Sequence, residues 1–276
     1  MFAQRSYKKE LLDAENISQK DLFRNLYELE VINNWLGGYK PTIKGIKQII
    51  DNDLKNKTTP NPSLKVGEQK ALLLPKEGLA TASEVVTYTI ADIGSGGGDT
   101  LRKIADWGRK NGLKLNLIGI DLKEDAILYA KKASENYPEI SFIQSDYREI
   151  HKYDLKIDIF ISALFCHHLL DDQIETLLLY VSAHAHKGFV INDLHRNFFA
   201  YHSIKILTNI FSKSYLVKND AKLSVLRGFD KAFWSKIITN LKANNQQNSD
   251  KNLHQNKINY SISWCWAFRW LIVGEK

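Results

Sequence analysis

The segment running from Thr89 to Thr100, TIADIGSGGGDT, limits the possible folds of this 276-residue chain more than any other part of it. An apolar strand leads directly into glycines at 94, 96 and 98 and then into an amphipathic helix. Glycine lacks a Cβ, so the chain can turn sharply at these positions and a ligand can lie against the backbone. Strand, glycine turn and helix together make the nucleotide cradle of a doubly wound α/β sheet. A dinucleotide fingerprint would need a third glycine at 99, where Asp99 would bring its charge to a pyrophosphate at the helix N-terminus. A phosphate-binding P-loop is excluded as well, since no Gly-Lys-Ser/Thr follows. What suits the loop is an adenosine ligand that has no phosphates and carries a positive centre.

The surrounding pattern supports a parallel sheet. Short apolar runs predict strands over 87–93, 114–120, 140–144, 157–163 and 188–192, and amphipathic stretches between them predict helices over 100–110, 124–134 and 172–182. Right-handed crossovers then place helices on both faces. Near the C-terminus, Tyr260, Ile262, Trp264, Trp266 and Phe268 alternate with small residues, which predicts a strand with its bulky face under a helix, doubling back into 269–274. The expected fold is therefore a Rossmann-like α/β sheet of seven strands, mostly parallel with a C-terminal antiparallel hairpin, preceded by N-terminal helices. Residues 1–50 read as a helical lid segment, with Ser18 as a cap and Gly37-Gly38 as a stop; 51–84, where Pro60, Pro62 and Pro75 fall among Asn, Lys and Thr, read as a polar linker. Residues 85–276 form the ligand-binding domain. Within it, 195–229 is an insertion containing an apolar helix over 197–212 and a loop through Arg227-Gly228, and the Asn/Gln-rich 242–257 reads as a mobile loop.

The run Asp92-Ile-Gly94-Ser95-Gly96-Gly-Gly98, with acids closing the next two strands at Asp121 and Asp146, closely resembles the class I S-adenosylmethionine-dependent methyltransferases over roughly 87–193. The resemblance implies S-adenosylmethionine as cofactor. It implies that Asp92 faces the methionine ammonium group and that the backbone of Gly94, Ser95, Gly96 and Gly98 lies along the methionine and ribose. Asp121 would accept from the ribose hydroxyls and Asp146 from the adenine amine, with Leu122 and Tyr147 flanking the ring and Ala163 at the end of the fourth strand.

The acceptor side is read from the end of that strand, Phe165-Cys-His-His-Leu-Leu-Asp-Asp172. Histidine suits the removal of a hydroxyl proton near neutral pH, which makes His167 and His168 the candidate catalytic residues. His167…Asp171 resembles the His-x-x-x-Asp of plant-type O-methyltransferases, whereas His168-Leu169 resembles a structural His-Leu in other class I enzymes. No Asn/Asp-Pro-Pro-aromatic follows the strand, which disfavours methylation of nucleobase amines, and Cys166 lacks the preceding proline of pyrimidine C5 methylation. No metal site is expected. The chain resembles bacterial methyltransferases of quinone biosynthesis and ones associated with type III polyketide synthases, and Asn34-Trp-Leu-Gly-Gly38 and Trp266-Ala-Phe-Arg-Trp270 resemble segments of the latter group. The apolar helix of the insertion suits a hydrophobic aromatic acceptor, with His195 and Arg227 as candidate substrate-orienting residues.

Composition sets the remaining expectations. Two cysteines without CxxC spacing exclude a disulfide framework, and the N-terminal segment lacks the apolar run of a signal peptide, so a cytoplasmic protein is expected. A net charge of +7 leaves an RNA or protein methyltransferase as the alternative function, but the lysines form no tight block, which disfavours nucleic acid as a partner. A cofactor-binding protein without catalysis is the further alternative. A homodimer is compatible with the sequence.

Overall fold

The computed structural model describes residues 2–14, 16–58, 86–249 and 258–276. An extended N-terminal segment with a 3-10 turn over Leu11–Asp13 precedes two helices, α1 (Gln19–Leu36) and α2 (Lys40–Thr58). There follow β1 (Thr87–Ile93), α3 (Asp99–Lys110), β2 (Lys114–Asp121), α4 (Glu124–Ala133), β3 (Ile140–Gln144), β4 (Ile159–Ala163), α5 (Asp171–His184) and β5 (Gly188–Leu194). Three helices, α6 (Phe198–Phe211), α7 (Tyr215–Arg227) and α8 (Lys231–Ser249), lead to the hairpin β6 (Asn259–Cys265) and β7 (Arg269–Glu275).

The seven strands are ordered β3-β2-β1-β4-β5-β7-β6. Neighbours from β3 to β5 pair in parallel, and β7 runs antiparallel to both β5 and β6. This is the Rossmann-like architecture expected from the sequence. Alternation along the central strands divides their side chains between two apolar layers. Tyr88, Ile90, Leu115, Leu117, Ile159 and Ile161 point to the layer that holds Leu101 and Ile104 of α3. Ala91, Ile93, Ile118 and Ile120 point to the opposite layer, with Leu177, Leu178 and Val181 of α5 and Trp234 and Ile237 of α8. Chain order reverses between β1 and β4, so a crevice opens at the carboxyl ends of those strands, where open α/β sheets bind ligands.

Four boundaries differ from expectation. The N-terminal helices are not both lid: α1 stands over the crevice, while Ile46, Ile49 and Ile50 of α2 are buried against the sheet. At Gly45 an added Cβ would meet Val190 at 2.6 Å, so α2 lies too close to β5 for any larger side chain there. Residues 51–58 continue α2 rather than beginning a linker, because Asp53 binds the Tyr88 hydroxyl and Asn52 bonds Glu275, which ties the polar end of the helix to the sheet. The rest of the stretch read as linker lies outside the described residues. The segment before Arg227 is helix α7, which pairs with α6 and buries Leu216, Val217 and Leu223. Residues 242–249 belong to α8, and 250–257 lie outside the described residues. Tyr260 and Ile262 of β6 pack against the core as expected, but Trp264 of β6 and Trp266 in the turn after it are exposed.

Candidate functional site

The glycine turn follows from its backbone angles. Gly94, Gly96 and Gly98 have φ of +73°, +50° and +71°, in the left-handed region that side chains rarely adopt. At Gly94 an added Cβ would lie 2.3 Å from the Phe165 ring, and at Gly98 it would lie 2.8 Å from Phe142. The loop is held from below by Asp121 at the end of β2, whose carboxylate accepts from the amides of Gly96 and Lys123, both at 2.9 Å.

Asp92 closes β1 and is 2 % exposed; its Oδ1 has no hydrogen-bond partner. Burial, reinforced by the charges of Asp99 and Asp121, pushes its carboxyl well above the usual range. Ser95 Oγ is likewise buried and unpartnered. Orphaned acceptors of this kind cost free energy unless a ligand satisfies them. They line a cavity of about 760 Å³ that runs from the glycine turn past Ala163 to the loop after β4. Leu122, Asp146 and Tyr147 line its rim. The Asp146 carboxylate is already engaged: it caps the 3-10 turn Tyr147–Lys152 and pairs with Arg148, which holds its carboxyl below the usual range.

The same cavity is lined by a 3-10 turn over Cys166–His168, which presents two imidazoles. His167 is 3 % exposed, and its Nδ1 lies 2.8 Å from Oδ1 of Asp193 on β5. The expected partner, Asp171, instead binds Arg5 and the Tyr7 hydroxyl. His168 Nδ1 lies 2.8 Å from Oδ1 of Asp13, and the two rings stand 4.3 Å apart. Facing both is Glu10, 4 % exposed, with Oε1 3.8 Å from His167 Nε2 and Oε2 3.9 Å from His168 Nε2. Burial pushes the Glu10 carboxyl up to about 7, against the opposing pull of His168, a hydrogen bond from Ser224 and Arg227. For Asp13 burial is outweighed by the hydrogen bond and charge of His168, and its carboxyl falls to about 2. Asp193 also stays low despite complete burial, because His167 and the amides of Leu194 and His167 hold its charge.

The sequence reading missed Glu10, Asp13 and Asp193. Glu10 and Asp13 reach the site only because the N-terminal segment is laid across it, and Asp193 reaches it from β5. Arg5 donates to the carbonyls of Arg227, His167 and Leu169 and stacks over Phe229 at 4.6 Å. The acids of this segment give no periodic signal of their own. The two candidate orienting residues fall elsewhere. Arg227 is 5 % exposed and donates to the carbonyls of His167 and Lys8, so it anchors the segment and does not line the cavity. His195 also lies off the cavity wall; its Nδ1 accepts from Trp264 Nε1 and its ring meets Trp270 edge-on. Cys166 is fully buried, and burial pushes its thiol far up, which makes it inert packing and no nucleophile.

Residues 90–188 match the family profile described as "Methyltransferase domain". No curated protein matches the sequence. Among solved structures, the plantazolicin methyltransferase BpumL in complex with a pentazolic desmethylPZN analog and SAH superposes with a TM-score of 0.57 at 14% identity, covering 94% of this chain and 96% of that one. The same enzyme with SAH gives 0.56 at 14% identity, covering 94% and 95%. The citrinin polyketide synthase CMeT domain gives 0.47 at 14% identity over 75% of this chain, and this chain spans 49% of that structure. Residues 90–188 are thus a methyltransferase domain on a Rossmann-like fold, a setting suited to S-adenosylmethionine. The residues fit that cofactor. The orphaned Asp92 Oδ1 suits an ammonium group, and the cradle without Cβ atoms admits a nucleoside against the backbone. When bound, the cofactor supplies an electrophilic methyl group on a sulfonium.

Proposed function

We propose that this enzyme transfers the methyl group to a hydroxyl oxygen of a hydrophobic aromatic small molecule held between the glycine turn and the His167–His168 turn. In this reading Asp92 faces the ammonium group, Asp121 the ribose hydroxyls, and Leu122 and Tyr147 the adenine, with Asp146 at its exocyclic amine.

The observation that carries the acceptor assignment is the contrast within one cavity. Its lid is built from Leu22, Leu26, Leu29 and Ile32 of α1 and Ala200, Ile204 and Leu207 of α6, whereas the Glu10, His167 and His168 side chains make one end of it polar. Apolar walls with a few convergent polar groups suit a small aromatic molecule carrying a hydroxyl. That end is where the hydroxyl is held and loses its proton; alignment with the sulfonium supplies much of the remaining rate. α6 makes its main contacts with α7 and not with the sheet, which leaves it able to act as a cover that excludes water.

The test is a panel of phenolic acceptors assayed with S-adenosylmethionine, alongside His167→Ala and His168→Ala. Methyl transfer to a phenolic oxygen that falls by roughly 10²-fold or more in either variant is expected. Full rate in both variants would remove the histidines from the reaction, and transfer confined to amines or carbon would overturn the oxygen assignment.

A further inference from the structure

We propose that Glu10, His167 and His168 form a binding site for a divalent transition-metal cation at the acceptor end of the cavity, with Nε2 of both imidazoles and the Glu10 carboxylate as ligands. Each offers one donor atom, and the three donors lie within 4.8 Å of one another.

Three observations carry it. First, both imidazoles are oriented for ligation: Nδ1 of each faces a carboxylate at 2.8 Å, Asp193 for His167 and Asp13 for His168. A proton held on Nδ1 leaves the Nε2 lone pair for a metal, and a carboxylate behind the ring is the usual support of a metal-ligating histidine. Second, the polar neighbour facing each Nε2 is Glu10 at 3.8 and 3.9 Å, too far for a hydrogen bond. Metal bonds of about 2.0–2.1 Å set neighbouring tetrahedral ligands about 3.3–3.5 Å apart, so donors lying within 4.8 Å of one another close on an ion by drawing in by at most about 1.5 Å. Third, four carboxylates gather here, Glu10, Asp13, Asp193 and Asp220, all half-buried or buried, and the guanidinium of Arg227 lies among them. Arg5, which touches the His167 carbonyl, is paired with Asp171. A divalent cation offsets the surplus negative charge.

Two imidazoles and one carboxylate leave open coordination positions, which suits zinc or a similar first-row ion and an oxygen ligand. The ion's role rests on the acceptor assignment above. The acceptor oxygen binds it, the O–H bond breaks and the proton leaves to water. The oxygen lone pair then forms the O–CH3 bond while the electrons of the S–CH3 bond remain on sulfur as a neutral thioether.

The experiment is a titration of the full chain, stripped with a chelator, with Co²⁺ alone, followed by calorimetry and visible absorption. Neither cofactor nor acceptor is needed. Saturation at one equivalent is expected. Glu10→Gln and His168→Ala are each expected to weaken binding about tenfold or more, Asp13→Asn to weaken it about tenfold, and His184→Ala to leave it unchanged. Thermal unfolding checks each variant; should one fail to fold, Asp13→Asn, which removes a support and no ligand, carries the comparison. Absence of saturable binding, or an affinity unchanged in the folded variants, overturns the site. Methyl transfer at full rate in stripped protein overturns the ion's role and leaves the acceptor assignment standing. Tight cobalt binding without methylation of any phenol does the reverse.

Discussion

Oδ2 of Asp121 accepts the backbone N–H of Gly96 at 2.9 Å, so the acid that closes β2 also fixes the glycine turn after β1. Each carboxylate oxygen keeps a second lone pair for a ribose hydroxyl. Asp121→Ala therefore loses both the ligand contact and the order of the loop, and S-adenosylhomocysteine affinity is expected to fall by about 1.5–3 kcal/mol, roughly 10–100-fold. Isothermal titration checks this, and an unchanged affinity would remove the ribose assignment.

In the proposed arrangement Asp92 ties cofactor binding to pH. Its folded-state carboxyl lies above the unfolded value because of burial and the charges of Asp99 and Asp121. A raised carboxyl stabilises the fold fully below the unfolded pKa, and that contribution is lost as pH rises through the folded one. Asp92→Asn keeps the shape without the charge, so at neutral pH and above it is expected to unfold at a higher temperature than the parent. Its affinity for S-adenosylhomocysteine should be lower, because the ammonium loses its counter-charge. Thermal melts across pH 5–9 with parallel titrations give both readings; a lower melting temperature at pH 8 would contradict the buried-charge argument.

Two glycines with nearly equal backbone angles separate strain from crowding. Gly94 has φ +73° with Phe165 in the way of a Cβ, whereas Gly112 has φ +66° with nothing within 4 Å. Gly112→Ala is expected to cost about 1–2 kcal/mol in denaturant unfolding from the left-handed backbone alone. Gly94→Ala adds a steric clash of roughly 1–3 kcal/mol more. Equal losses would mean that Phe165 moves aside without cost.

Arg5 tests the N-terminal segment. Its guanidinium is nearly inaccessible, bonded to four carbonyls and to Asp171. Arg5→Ala strands those acceptors and is expected to destabilise the fold by about 2–4 kcal/mol. It should also lower methyl transfer by displacing Glu10 while S-adenosylhomocysteine binding stays near that of the parent. Loss of cofactor binding to the same degree would show that the segment serves the whole cavity.

The sequence by itself determined the sheet and the glycine turn. Period-two apolar runs fix which side chains of β1, β2 and β4 enter each layer, and a glycine turn between a strand and a helix needs residues adjacent in the chain, so Asp92 and the glycines were legible without coordinates, as was Asp121 from its place at the end of β2. Tertiary structure alone decided the acceptor end. His167 and His168 could be named from their place after β4, but their partners lie 26 and 155 residues away, and Glu10 arrives on an irregular segment with no periodicity to mark it. The same distance effect hides the partners of Arg227 and His195: an arginine near the cavity in the chain carries no sign of whether its donors face a ligand or the carbonyls of a neighbouring segment. Local pattern fixes what the backbone does with its own neighbours, whereas buried polar groups take whichever partner the packed chain brings within reach.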